Sequence, residues 1–364
     1  MKRKLWICAL VFAMFFSGCS YMEEPISLQN LLGIQQKNEN HPQIATAKEL
    51  RDYVLQQRQQ GKLEFSFTYT GTNEIDPGVI AQIADVCYVK MTIEGDNYHL
   101  EMTQFPGERI VKAYASDDTA KLTKDEQKAL EIALEMVEQA KDSAADDWEL
   151  ELLIHDMLAE RITYCDADIH YEDPEDQPRH LSVIGALLDG QANCQGYTDA
   201  FYTLATLAGF EVGRLSVETD SNPHMVNLIC LNDAWYVVDL TYDDANDDAI
   251  SYQLLNAGLD LIGKEYFWSD EIESNFVVEK SDENSYYLRK ELVFADLYEL
   301  AAFIAQDWAE NGNTEIHTML QNEPNSEKLN DVLPDALSKW ERSYSYSILH
   351  SSNGKDSFYT IIFE

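Results

Sequence analysis

The stretch from His224 to Thr241 constrains the fold more than any other part of the chain. Two apolar runs rich in β-branched and aromatic residues flank Asn232-Asp233. Asn and Asp both tolerate the left-handed backbone that a two-residue hairpin turn demands. With the turn centred there, Ala234 falls opposite Leu231, His224 opposite Thr241, and Asp239 opposite Val226. His224 and Asp239 are then diagonal neighbours on one face of a hairpin. Their Cα atoms would lie roughly 7–8 Å apart, with the side chains within hydrogen-bond reach. A carboxylate that accepts from one imidazole nitrogen fixes the tautomer and leaves the other nitrogen to take a proton. Val212 to Val217 reads as a further strand.

The segment before the hairpin supplies a partner for that histidine. Gly190 breaks the preceding pattern, and from Cys194 onward the spacing is helical: Tyr197, Phe201, Leu204, Ala205 and Ala208, stopped by Gly209. Cys194 is therefore expected on the first turn of a buried helix. Unpaired N–H groups and a partial positive charge at that end favour thiolate over thiol. Alone, Cys194 would better suit a small buried apolar position. In the chain order Cys194, His224, Asp239 it points instead to a thiol nucleophile with its base and orienting acid.

Three separated blocks match a known family in order and spacing. They are Gly190-x-x-x-Cys194-Gln195-Gly196-Tyr197, then His224-x-x-Asn227, then Trp235-Tyr236-x-x-Asp239-x-Thr241-x-Asp243-Asp244. Over about residues 120–270 the chain resembles the bacterial transglutaminase-like superfamily. The resemblance implies an α+β, papain/transglutaminase-like core, with a helix bearing the Cys packed on an antiparallel sheet bearing His and Asp. It implies Cys194 as nucleophile, His224 as base and Asp239 as orienter. Tyr164, Gln195 and Tyr197 are expected beside the substrate. The family commonly carries an aromatic residue two positions after the His, where this chain has Val226, so the substrate-side wall departs from the pattern. The implied chemistry is acyl transfer or hydrolysis at amide bonds of a protein or peptide through a Cys194 thioester, with no cofactor. A peptidase acting on cell-wall or other protein would use the same three residues. A non-catalytic binding lipoprotein would keep the core only as a scaffold. The sequence leaves these alternatives, the substrate and the oligomeric state open.

Flanking segments share a pattern. Lys48 to Gln59 reads as a helix ended by Gly61, Leu63 to Tyr69 as a strand, Ile80 to Val86 as a short helix, and Tyr88–Ile93 with Tyr98–Phe105 as a hairpin. Toward the C-terminus, Leu297 to Trp308 reads as a helix ended by Gly312, and Thr314 to Leu320 as a strand. Leu329, Val332, Leu333, Leu337 and Trp340 form a helical stripe, and Ser343–His350 with Ser357–Phe363 flank the turn Asn353-Gly354. The order helix, strand, helix, hairpin thus occurs twice. The expected organisation is an N-terminal α/β module over 46–115, the core over 120–275 and a C-terminal α/β module over 285–364. The core opens with a capping box, Thr123-x-x-Glu126, and a second helix begins at Asp146-Asp147. Asp166 to Arg179 is acidic, carries Pro174 and Pro178, and reads as a loop.

The N-terminus is read as targeting rather than fold. Lys2, Arg3 and Lys4 precede an unbroken apolar run from Leu5 to Phe16, too short to span a bilayer and suited to a signal peptide. Ser17-Gly18-Cys19 follows and resembles a bacterial lipobox. That resemblance implies removal of residues 1–18, lipidation of Cys19, a polar tether over 19–45, and attachment to the extracytoplasmic face of the cell membrane by acyl chains alone. Acids outnumber bases 65 to 26, a formal net charge of −39. Such a balance excludes nucleic acid as a partner, because phosphate backbones demand clustered Lys and Arg. With 45% hydrophobic and 11% aromatic residues, the chain has enough apolar material for packed cores. Of six cysteines, Cys8 leaves with the leader and Cys19 takes lipid. Cys87, Cys165, Cys194 and Cys230 remain without C-x-x-C spacing, so neither a disulfide framework nor a zinc cluster is expected. Asp244-x-Asn246-x-Asp248 opens like a calcium loop, but Ala249 and Leu255 stand where Gly and Glu are required. His155, His170 and His180 fall in no ligand spacing, and no metal is expected.

Overall fold

The computed structural model describes residues 7–10, 41–167, 176–219, 223–245, 249–262, 278–324, 327–340 and 343–364. One unit is built from the chain up to Gln104, the other from Phe105–Ile169 and Gln177–Glu364. Helices and sheets are mixed throughout, so the chain is α+β. Among the described residues no helix is long and apolar enough to cross a membrane.

The first unit is a sheet with two helices. Strands β1 (Ile7–Leu10), β2 (Gln43–Ile44), β3 (Glu64–Tyr69), β4 (Tyr88–Glu94) and β5 (Asn97–Thr103) lie in the order β1-β4-β5-β3-β2. Helix α1 (Ala47–Gln59) starts from a capping box between Thr46 and Glu49, and α2 (Pro77–Ala84) from an Asp76 cap. The alternation of β3 buries Phe65, Phe67 and Tyr69, as its period-2 pattern predicts. Strand β1 pairs antiparallel with β4. It falls within the segment read as a leader, so removal of residues 1–18 would leave β4 as the sheet edge.

The second unit begins with α3 (Pro106–Ala115), α4 (Lys124–Ser143) and α5 (Asp147–Ala159). The Thr123/Glu126 capping box forms as its spacing predicts. A short parallel pair follows, β6 (Thr163–Tyr164) with β7 (Gln191–Ala192), leading into α6 (Cys194–Ala208). The next sheet runs β10-β9-β8 from strands β8 (Glu211–Glu218), β9 (Pro223–Leu231) and β10 (Ala234–Val238). Its register pairs Ala234 with Leu231 through Val238 with Asn227, the register set by the Asn232-Asp233 turn. Both turn residues have positive φ, 53° and 66°, the two left-handed positions of a tight hairpin. Strand β10 is shorter than expected. It stops at Val238, because Asp239 caps a one-turn helix, α7 (Leu240–Asp243), and draws the chain out of the ladder. Apolar faces of α4, α5 and α6 meet this sheet in one core that includes Leu130, Ile154, Phe201, Leu228 and Val237.

Two single turns, α8 (Leu259–Ile262) and α9 (Tyr286–Arg289), lead to the C-terminal sheet. There β11 (Val293–Phe294), α10 (Leu297–Gln306), β12 (Glu315–Leu320), α11 (Glu327–Leu337), β13 (Tyr346–Ser352) and β14 (Ser357–Phe363) give the sheet order β11-β12-β14-β13. This repeats the topology β2-β3-β5-β4. In both sheets a two-residue edge strand runs parallel to its neighbour, and that neighbour pairs with the second strand of the hairpin. Asp296 caps α10 as Thr46 caps α1. Gly61 and Gly312, each at φ 74°, follow the first helix of each copy.

Candidate active site

Cys194 is the first residue of α6, and Asn193 caps it by accepting the N–H of Gly196 at 3.2 Å. The first intrahelical bond runs from Tyr197 N to Asn193 O at 2.9 Å. The N–H groups of Cys194 and Gln195 therefore precede the ladder and have no intrahelical acceptor. Gly196 is required at this turn. A Cβ there would stand 2.4 Å from the carbonyl oxygen of His180, and the same carbonyl accepts from Asn193 N at 3.0 Å. The Cys194 residue is only 4% exposed.

Helix α6 is tied to β9 by side-chain-to-backbone bonds. Thr198, one turn beyond Cys194, donates to Met225 O at 2.9 Å, and Asn227 Nδ2 donates to Thr198 O at 3.1 Å. These bonds hold the thiol's helix against the strand that carries the histidine. His224 Nε2 hydrogen-bonds Asp239 Oδ2 at 2.7 Å, which leaves the other ring nitrogen toward the thiol. Cys194 lies close enough to His224 to favour a charge on the ring. Its side chain is 17% exposed and that of Asp239 1%. Burial opposes a charge on the imidazole, but Asp239 and the Cys194 sulfur outweigh it and raise His224 to about 11. The second oxygen of Asp239 accepts Tyr242 N at 3.1 Å. Both oxygens are thus spoken for, and the carboxylate cannot rotate away from the ring. The expectation that Asp239 is a ladder residue, diagonal to His224 on the hairpin face, is revised: it reaches the ring from the cap of α7.

The other residues singled out by sequence are placed differently from one another. Tyr164 ends β6, is 50% exposed, and lies within the field of Cys194 and Asp239. Burial first, then the negative charge of Cys194, Asp166, Cys165 and Asp239, push its phenol up to about 12. A cavity of about 690 Å³ opens beside it, lined also by Ile162, Thr241, Asp244, Ile250 and Glu315. Gln195 is fully buried and donates to Leu181 O at 2.9 Å. Tyr197 is buried too, its hydroxyl bonded to Ile162 O at 3.2 Å and to Asp244. Neither side chain reaches solvent, because both face inward from the first turn of α6. Val226 is also in the core. Asp243 faces His155 rather than His224. Cys19 lies outside the described residues, as do His170, Asn246 and Asp248. Cys87, Cys165, Cys194 and Cys230 are free thiols. Among the described residues no group of His, Cys, Asp and Glu converges as a metal site.

Two buried arrangements near the site carry no motif. Asp199 accepts the N–H groups of Gly107 and Val183, each at 3.1 Å, and pairs with Arg214 at 3.3 Å. Arg214 lies between the rings of Phe105 (4.3 Å) and Tyr202 (3.9 Å). This clamps the start of α3 to α6. The second arrangement joins His155 to Asp243, and Glu151 to Asn256. The helical period of α5 shows Glu151 and His155 four apart, but nothing in that pattern shows which partners the rest of the fold brings to them.

No family model matches the chain, and no curated protein matches it. Among solved structures, the chain is similar to a "TGase" at 14% identity and a TM-score of 0.27, over 56% of this chain and 59% of that one. It is also similar to a candidate protease from Parabacteroides distasonis ATCC 8503 at 9% identity and a TM-score of 0.25, over 75% of this chain and 55% of that one. The chain thus spans less than two thirds of either neighbour, and at these low TM-scores the site must be read from its own geometry.

Proposed function

We propose that this chain is a transglutaminase-like thiol enzyme with Cys194 as nucleophile, His224 as base and Asp239 as orienter. The observation that carries the reading is His224 bridging Cys194 and Asp239, its Nε2 held 2.7 Å from Asp239 Oδ2. In the proposed reaction the Cys194 thiolate adds to a carboxamide carbonyl, and the oxyanion is met by the free N–H at the start of α6. The C–N bond then breaks, and the His224 imidazolium gives its proton to the departing amine. The thioester passes to a second amine, which cross-links, or to water, which hydrolyses. In either case His224, now neutral, takes the proton of the attacking group. Half-exposed Tyr164, within the field of Cys194, is the residue that would meet a protein or peptide substrate. Lipidation at Cys19 would hold this chemistry at the extracytoplasmic face of the cell membrane.

The test incubates the full chain and its Cys194→Ala variant with a glutamine-containing peptide, a primary-amine fluorophore and cell-wall extract. Products are read by mass spectrometry. The wild type is expected to attach the amine with loss of ammonia, to convert the amide to acid, or to cleave a peptide bond. Identical spectra for wild type and variant in every arm refute the reading.

A further inference from the structure

The carboxylate that orients His224 sits on a very short element. Helix α7 has four residues, closed by bonds from Asp243 N to Asp239 O and from Asp244 N to Leu240 O, both 3.0 Å. So short a helix has no stability of its own, because ordering the first turn costs more than its hydrogen bonds return. Its direction must be set by what it touches: Leu240 is buried in the core, Tyr242 Oη donates to Gln253 Oε1 at 3.3 Å, and both ends are held by further bonds. At the N-terminal end are the two bonds of Asp239 already described. At the other end Asp243 is fully buried. Its Oδ1 accepts Leu254 N at 3.0 Å, its backbone oxygen accepts Ser251 N at 2.6 Å, and its Oδ2 faces His155 Nε2 at 3.3 Å.

His155 reaches that point from α5 and is itself fully buried, with Nδ1 3.1 Å from Asp156 Oδ1. Burial disfavours its charge, but the hydrogen bonds and charges of Asp156 and Asp243 outweigh burial and raise its pKa above the usual imidazole value. The titratable groups around it are Asp156 and Glu151 on its own helix, Asp243 on α7, and Tyr252, whose ring centre is 5.6 Å away. Asp239 lies behind Asp243. One turn of helix therefore carries two carboxylates. The first holds the base of the candidate site, and the second is gripped by a histidine outside it.

We infer that His155 is a positioning residue for the Cys194–His224–Asp239 site: by pairing with Asp243 it sets the direction of α7, and through α7 the aim of Asp239 at His224. This rests on the reading of Cys194 as the nucleophile. His155 touches none of the reacting groups and acts only through geometry. A shift of α7 by about 1 Å would stretch the bond from Asp239 to His224 past hydrogen-bond range. The His224 ring would then lose the carboxylate that orients it.

The test compares full-length wild type with His155→Leu, His155→Gln, Asp243→Asn and His224→Ala. Alkylation of Cys194 by iodoacetamide is followed at pH 6 and pH 9 by peptide mass spectrometry, with circular dichroism as the check on folding. A free thiol reacts roughly 200-fold faster at pH 9 than at pH 6, given a pKa of about 8.5. On the thiol-enzyme reading wild type should show a much smaller ratio, and His224→Ala should approach the free-thiol ratio. His155→Leu should lose at least about 10-fold at pH 6 while staying within about threefold of wild type at pH 9. His155→Gln retains a donor toward Asp243 and should stay within about threefold at both. A merely structural role would lower the melting temperature without moving the ratio. A folded His155→Leu with the wild-type ratio overturns the inference. If His155→Leu does not fold, Asp243→Asn decides: it keeps the bond from Leu254 and weakens the pair with His155. At least a threefold loss at pH 6 supports the inference, and an unchanged ratio overturns it. A wild type that already matches His224→Ala overturns the thiol-enzyme reading itself, and the inference with it.

Discussion

Glu151→Gln should make the protein more stable at alkaline pH and flatten its response to pH. Glu151 is fully buried on α5, where burial raises it from 4.5 to about 8 against the opposing pull of Asn256 and His155. Its Oε2 accepts Asn256 Nδ2 at 2.8 Å, while Glu151 Oε1 and Asn256 Oδ1 are buried without partners. That pattern fits a carboxylic acid facing a primary amide, with one proton to close the second bond. The sign follows from linkage. Between 4.5 and about 8 the folded chain holds a proton that the unfolded chain has released. The contribution of Glu151 is therefore fully present below about 4.5 and is lost as pH rises toward 8. Each pH unit in that window removes about 1.4 kcal/mol, so pH 5 to 8 removes at most about 4 kcal/mol, less whatever the site recovers by relaxing. A Gln can make both bonds to Asn256 at any pH. The stabilities of variant and wild type should agree within about 1 kcal/mol at pH 5, with the variant ahead by a few kcal/mol at pH 8. His155, raised above 6.5 in the fold, also loses stabilising power as pH climbs in both proteins; it is coupled to Glu151, so its contribution cancels only in part. The assay is urea unfolding at pH 5, 6.5 and 8 followed by tryptophan fluorescence, for which Trp148 on the same helix is a buried reporter. Parallel stability curves for the two proteins would refute a protonated Glu151.

Four further outcomes are expected. His224→Ala should slow iodoacetamide labelling of Cys194 at pH 6 by about 10-fold or more, while Cys165 is unaffected; equal labelling would remove His224 from the site. Asp239→Asn keeps the cap on α7 but loses the charge that favours imidazolium, so any amidase or transfer rate should fall by about 10²–10⁴ with little change in melting temperature. A rate within threefold of wild type speaks against Asp239 as orienter. Gly107→Ala places a Cβ 2.2 Å from Thr203 Oγ1 and 2.5 Å from Asp199 Oδ1; overpacking of this kind costs about 1–3 kcal/mol, and unchanged urea stability would contradict the packing of α3 on α6. Cys19→Ala should release the protein from membranes or leave an unprocessed precursor, and undiminished membrane attachment with the same migration would sink the lipid anchor.

Local features of the candidate site were legible in the chain itself. The Asn232-Asp233 turn determined the register of β9 and β10, because a two-residue loop admits one pairing and a one-residue slip would put buried side chains in water. The helical spacing after Cys194 placed the thiol at a helix start, and the Thr123/Glu126 spacing located the start of α4. The repeated order of helix, strand, helix and hairpin anticipated two sheets of one topology. Their two-residue edge strands were invisible, since so short a ladder has no period to read. What only the tertiary structure decided are contacts between residues far apart in sequence. Asp239 leaves the ladder to cap α7. Asp199 collects Gly107, Val183 and Arg214. Asp243 meets His155 from another helix, and Gln195 and Tyr197 turn inward although they flank the thiol. Periodicity and turn chemistry report the conformation of neighbouring residues. A buried carboxylate must instead find its donors wherever the whole fold supplies them, and no local pattern encodes where that will be.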